Sequence, residues 1–331
     1  MDEKVKVLCE NFISNRDIIK KTFRGESLFT DTIVANALTA YGATADKDKL
    51  KTCVKIVKKN AGALSYLKGS VMMPFAANLS LKEDPKAHFD KVIKIYNYAK
   101  KKFSRSEYSA LLSIMLADLT DEASFASVVD RGKEIYDLIY SKHPFLTSQD
   151  RSVFAVLLAL SEKSNTELID DMEKCYELMK IKYSHKSSIQ SVSYVLSLTE
   201  GSAREKVDHF NELFDSLREA GKKYGVYNEL TILAAASLLE SNIEKLRDTI
   251  IDIDGFLSTQ KGYGLLGLDK KTRLMNATML TADLYDTANK TITEASPSAI
   301  AMSAAQSLVM CIIIAAASDE NAYAAMGLSS D

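Results

Sequence analysis

The feature that most constrains this chain is an apolar segment, Val153–Ser161 (VFAVLLALS), whose weaker copies return along the sequence at a step of about 40 residues. The copies close on Leu38, Leu79, Leu119, Leu160, Leu198, Leu239 and Leu280, with successive spacings of 41, 40, 41, 38, 41 and 41 residues. All but Leu239 are followed by Ser or Thr. Such a pair alone carries no information, since Leu64-Ser65, Leu112-Ser113 and Leu257-Ser258 also occur. The information lies in the spacing and in the large and small apolar residues ahead of each copy. Runs of this length rich in Ala and Leu favour helix over strand.

A second register repeats in step with the first. Ile95, Tyr96, Tyr98 and Ala99 are answered 40 residues on by Ile135, Tyr136, Leu138 and Ile139, and again by Cys175, Tyr176, Leu178 and Met179. Cys53, Val54, Ile56 and Val57 continue it upstream, and Leu213, Phe214 and Leu217 downstream. Positions i, i+1, i+3 and i+4 form one stripe on a helix. Each unit therefore reads as an amphipathic helix, a loop and a more apolar helix, and neither helix can bury its stripe without a neighbouring unit. The expected fold is all-α: about seven antiparallel helix pairs, at roughly 1–42, 46–81, 86–120, 126–161, 166–199, 203–240 and 243–287, stacked as an α-solenoid or α-α superhelix. The period suits HEAT or armadillo-sized units and not the 34-residue kind. A closed α/α toroid has a similar step and stays open as the alternative.

A chain of 331 residues would ordinarily split into two domains, but a repeat array grows in one dimension and is expected to form one. Repeats fill 1–290; 291–331 hold an Ala-rich apolar helix and a tail. In that last part Ser298–Ser318 runs without a charge, long enough to span a membrane. Gln306, several serines, many alanines and the lack of Lys or Arg after it argue instead for a buried capping or central helix. It is the only membrane candidate. A net charge of −2, with no block of five like charges, disfavours nucleic acid as the main partner. Cys9, Cys53, Cys175 and Cys311 show no short-range pairing and read as thiols in a reducing compartment. The segment 1–10 mixes acid and base before any apolar run, unlike a secretory signal, so a cytoplasmic location is expected.

Chemistry-bearing motifs are sparse. Gly262-Tyr263-Gly264-Leu265-Leu266-Gly267 matches G-x-G-x-x-G literally, yet a dinucleotide fingerprint needs a strand before it, and Ile253–Gln260 reads as the end of a helix. An interhelical loop is the expectation there, with Lys261 and Arg273 beside it as candidates for an anionic ligand. His88, His143, His185 and His209 form no ligand spacing with each other or with cysteine, so no metal or other cofactor is expected. No serine or cysteine sits in a strand-turn-helix context, and no catalytic residue is assigned. His143 and His185 fall in corresponding loops of successive units, where stacking would align them along one edge with Asp150, Arg151 and Gln190. Such an edge commonly forms a partner groove in repeat proteins.

The stretches 143–148 (HPFLTS), 190–198 (QSVSYVLSL), 223–225 (KYG), 260–264 (QKGYG) and 273–275 (RLM), with the Ala-rich C-terminus, resemble an uncharacterised bacterial family. That family is found mainly in firmicutes and is catalogued as domain of unknown function number four thousand and three. The resemblance covers nearly the whole chain and implies a bacterial cytoplasmic protein, without bringing any activity, cofactor or site residue. The functional expectation is a non-enzymatic binding or scaffold protein offering a helical-repeat surface to a protein, peptide or small ligand. The alternatives are a toroid-like enzyme with a central cavity and a membrane-associated protein held by its C-terminal helix.

Overall fold

Fourteen α-helices follow one another in the computed structural model, which describes residues 1–62, 65–147, 149–227, 229–264 and 267–290, with side chains through Tyr285. They are α1 Glu3–Thr22, α2 Leu28–Ala40, α3 Lys47–Asn60, α4 Met72–Ser80, α5 Pro85–Lys102, α6 Glu107–Leu119, α7 Phe125–Lys142, α8 Arg151–Leu158, α9 Asn165–Met179, α10 Lys186–Ser197, α11 Ala203–Glu219, α12 Glu229–Ser237, α13 Ile243–Ser258 and α14 Lys270–Lys290. No strand occurs among the described residues; Tyr263 and Leu268 form an isolated bridge inside the 259–269 loop. Residues 298–318, read above as a buried helix, lie outside the described residues.

The local causes are the expected ones. Asp46, Asp84, Ser106 and Asn242 cap their helices with a side-chain oxygen, and Ser164 with Glu167 and Ser202 with Glu205 form reciprocal capping boxes. Pro85 stands at the start of α5, where its missing N–H costs nothing. Odd-numbered helices bury one stripe and expose Lys and Glu on the other. Even-numbered helices are buried nearly all round: every residue of α8 is buried, as is Leu230–Ser237 of α12. A helix without a polar face has to be enclosed. Each even helix packs on the odd helix before it, forming an inner layer inside an outer one.

The pairs repeat their environments as well as their lengths. Phe103, at the end of α5, meets the Tyr136 ring of α7 at 5.8 Å, and His143, at the end of α7, meets the Tyr176 ring of α9 at 5.0 Å. Both partners are 33 residues apart. A second shared device closes the inner helices. Lys91 of α5 donates to Ala117 O and Thr120 O, and Arg131 of α7, 40 residues on, donates to Ala159 O, Ser161 O and Lys163 O. These carbonyls lie at the C-terminal ends of the inner helices α6 and α8 or in the loop just beyond α8, where a cation satisfies acceptors and meets the negative end of the dipole. At the next 40-residue step stands Asp171, and Lys163 and Lys206 take over, both bonded to Asp171 and to Thr199 O. The following step shortens to 38, the same contraction seen near Leu198, and His209 lies 3.2 Å from Glu240 O.

The array closes on itself. α13 packs against α1, and α14 against α2, so the first and last pairs are neighbours like any other two. Asn36 of α2 donates to Asp283 of α14 at 2.7 Å, and the Met1 ammonium reaches Asp252 of α13 at 2.6 Å. Of the two forms compatible with the repeat, this is the ring: seven helix pairs with the even helices inside.

Candidate functional site

All seven inner helices run in the same direction, so their N-termini gather at one end of the ring. Partial positive charge accumulates there. Buried polar residues occur all along the inner helices, and those in the first two turns include Asp31, Ser109, Arg151, Gln190, Thr231 and Asn276. In α8 and α10 the central figure is Arg151, 4% exposed. Its guanidinium donates to Ser191 Oγ at 2.6 Å and to Ser187, and pairs with Asp150 at 3.1 Å. It lies 5.5 and 5.9 Å from the centres of the Phe154 and Tyr194 rings, which pack on each other at 4.9 Å. Burial pushes the Tyr194 hydroxyl above the ordinary phenol range, with Arg151 pulling the other way.

Several buried groups in this belt have no hydrogen-bond partner among the described residues: Arg151 Nε, both polar atoms of Gln190, the Tyr194 hydroxyl and Thr231 Oγ1. Gln190 is 1% exposed, so water does not reach it from outside. Thr231 lies 41 residues after Gln190, one repeat step, and so holds the corresponding place in α12. Native interiors rarely leave such groups unpaired, because each one costs about 1–3 kcal/mol. Across the ring, Asp31 Oδ1 in the first turn of α2 and Asn276 Oδ1 in the second turn of α14 are in the same condition.

The expected edge is only partly one place. Asp150 and Arg151 share it with the α10 helix that carries Gln190. His143 instead turns to α9, with Nε2 2.8 Å from Glu173 Oε1. The His185 ring packs at a tilt against the Tyr227 ring, with centroids 4.4 Å apart. Arg273 is held by Asp254, 2.7 Å from Nε, and Lys222 joins the same carboxylate at 2.6 Å. Burial would raise that carboxyl, but the hydrogen bonds from Arg273 and Lys222 outweigh it and hold Asp254 below the ordinary range. Lys261 lies exposed in the adjoining loop. The G-x-G-x-x-G loop follows a helix, as expected, and Gly262 and Gly264 take left-handed conformations. Tyr194, Thr231, Asp31 and Asn276 were not singled out from the sequence; only Thr231, a hydroxyl in the apolar run 230–236, stood out there as a polar side chain among apolar ones.

No group of three or more His, Cys, Asp or Glu able to hold a metal ion occurs among the described residues, and no helix there is long and apolar enough to cross a membrane. Cys9, Cys53 and Cys175 are free and buried, and burial pushes the Cys9 and Cys175 thiols up to about 12. Cys311 lies outside the described residues.

The fold and this belt define a class: a closed ring of α-helical hairpins with a polar collar on the inside of one end. The chain belongs to the family described as protein of unknown function (DUF4003), whose profile matches residues 16–317. No curated protein and no solved structure matches it.

Proposed function

We propose that this protein is a non-enzymatic binding protein that holds a small polar ligand within the ring, in the sector formed by α8, α10 and α12. One observation carries the reading: the whole amide of Gln190, a donor and an acceptor together, is buried and unanswered. The neighbouring Arg151 Nε, Tyr194 hydroxyl and Thr231 hydroxyl extend the same unmet capacity. A ligand offering both donors and acceptors, such as a hydroxyl-rich molecule, meets it, and the helix N-termini favour one that also bears negative charge. The three buried free thiols support a reducing compartment, and we place the protein in the bacterial cytoplasm.

The test is Gln190→Leu, compared with wild type by thermal unfolding and by native mass spectrometry of protein purified under gentle conditions. Leucine removes an unpaired buried amide at similar volume, so the ligand-free variant is expected to gain about 1 kcal/mol. It is also expected to lose any retained small molecule and any stabilisation by polar metabolites. A variant that is less stable than wild type without ligand would mean that Gln190 is a paired structural residue, and the reading would fall.

A further inference from the structure

We infer that the end of the ring where outer helices turn into inner ones is a docking face for the surface of an anionic lipid bilayer, with Phe145 and Ile181 entering the membrane. It rests on surface charge and exposure, independently of any ligand within the ring.

The two ends of the ring carry opposite charge, which a net charge of −2 conceals. The seven connections from an outer helix to the next inner one (23–27, 61–71, 103–106, 143–150, 180–185, 220–228 and 259–269) hold eight Lys and Arg against three Asp and Glu. The six connections at the other end (41–46, 81–84, 120–124, 159–164, 198–202 and 238–242) hold two against eight. The last turns of α1, α3, α5, α7 and α11 bring further cations to the first end. Six of the seven units present there an exposed cation that makes no ion pair among the described residues: Arg24, Lys59, Lys101, Lys142, Lys223 and Lys261. The inner helices point their positive dipole ends the same way.

Large apolar side chains leave the core at this same end. Phe145 is 98% exposed and Ile181 81%, and Tyr66, Tyr140 and Tyr227 are exposed beside them. Anchored turns hold the first two outward. Leu146 N, Thr147 N and Thr147 Oγ1 all donate to His143 O, at 3.0, 3.1 and 2.7 Å, and Leu146 packs on the core, so the chain is tied down on both sides of Phe145. Ile181 stands between Lys180 and Lys182, which pair with Glu177 and Asp215 on the outer wall. Its turn is fixed by Tyr183, whose N–H donates to Met179 O at 3.0 Å and whose ring lies 5.9 and 5.4 Å from the centres of Phe210 and Phe214. The contacts of His143 with Tyr176 and of His185 with Tyr227 join these turns to the next unit, so Phe145, Ile181 and Tyr227 form an arc over three units. At the acidic end the comparable residues are Met1, the first of the chain, and Tyr41.

Single exposed apolar residues are ordinary on a protein surface. Here they share one end with the cations, and the combination fits a bilayer: headgroup phosphates meet Lys and Arg, the acyl boundary takes Phe and Ile, and Tyr sits at headgroup level. The acidic far end is repelled by the same surface, which sets the orientation. Two other occupants fit less well. A second copy stacked head to tail would match basic to acidic end but would press Phe145 and Ile181 against charged loops. A nucleic acid would meet the cations and stack on Phe and Tyr, but it gives Ile181 no partner.

The experiment adds vesicles to the full chain and reads insertion at one position. The chain has no tryptophan, so Phe145→Trp places a lone fluorescent reporter on the arc and Tyr41→Trp one at the opposite end. With vesicles of phosphatidylcholine and phosphatidylglycerol, Phe145→Trp emission is expected to move to the blue and to be quenched by brominated acyl chains. Tyr41→Trp emission should not change, and phosphatidylcholine vesicles alone should move neither. In flotation with the same anionic vesicles, the double variant Phe145→Ser, Ile181→Ser is expected to bind about tenfold or more weakly than wild type, and added salt should weaken both. Both side chains are exposed, and circular dichroism checks that the variant stays folded. Three results would each overturn the inference: no binding to anionic vesicles, an unmoved Phe145→Trp spectrum, or a double variant that binds as tightly as wild type, which would place any attachment elsewhere, in 298–318 for instance. Binding of a single-stranded RNA oligonucleotide in place of the vesicles would overturn it too, in favour of a nucleic acid.

Discussion

Asp31 shows what one residue can report about the ring. It sits in the first turn of α2, where the helix dipole favours a negative charge, yet burial raises its carboxyl to about 7. In the unfolded chain an aspartate titrates near 4. Between those values the folded protein holds a proton that the unfolded chain has released, so stability falls as pH rises across the window. The contribution is complete below about 4 and is lost as pH climbs through about 7. Asp31→Asn removes this titration. The urea midpoint of the variant relative to wild type is therefore expected to move in the variant's favour from pH 5 to pH 8. A flat difference would mean that Asp31 is already ionised in the folded protein. The sequence pointed to Arg151 and Gln190 through loop spacing but passed over Asp31 and Asn276. Their significance comes from burial on the inner layer, and which helices are inner is a property of packing that one helix cannot reveal.

At the scale of elements, the 40-residue step was legible because every unit solves the same problem with the same residue types. The stripe through Tyr96, Tyr136 and Tyr176 lies on three successive outer helices, and a Lys lies 5.5, 5.9 and 5.4 Å from the respective ring centres. The cations that close the inner helices were not legible in advance. Nothing in the sequence separates Lys91 and Arg131 from the other charges of the outer helices, and Asp171 breaks the 40-residue pattern, with Lys163 and Lys206 compensating. Gly132 is another hidden position. It lies in α7, where glycine is otherwise unfavourable, and a Cβ there would stand 2.6 Å from Val156 Cγ2 and 2.9 Å from Val156 Cα of α8. The near atoms include backbone, so the neighbour cannot simply rotate away. Gly132→Ala is thus expected to destabilise the protein by about 1–3 kcal/mol, the usual cost of overpacking, in spite of alanine's better helix propensity. Denaturant titration checks it: a stabilised variant would show that α7 and α8 have room to separate.

Closure is the property that periodicity could not decide, because a repeat specifies only how each unit meets the next, while closure depends on the rotations summing to a full turn. One hint was nevertheless present. An open solenoid needs terminal units with a polar outer face. α2 and α14 instead carry Ile33, Val34, Ala35 and Leu38, and Leu274, Met275, Ala277 and Leu280, with no such face. In the ring each covers the other. The energetic consequence separates the two architectures. Removing the last pair from an open array costs one interface and leaves a shorter array, whereas removing it from the ring strips α11 and α12 on one side and α1 and α2 on the other. A chain ending at Glu240 is therefore expected to lose its cooperative urea transition and to expose apolar surface. A chain ending at Lys290 serves as the control that keeps α13 and α14. Circular dichroism and size-exclusion chromatography read the outcome. If the chain ending at Glu240 unfolds in one sharp transition, with a denaturant slope reduced only in proportion to its length, the contacts of α1 with α13 and of α2 with α14 are not what holds the molecule together.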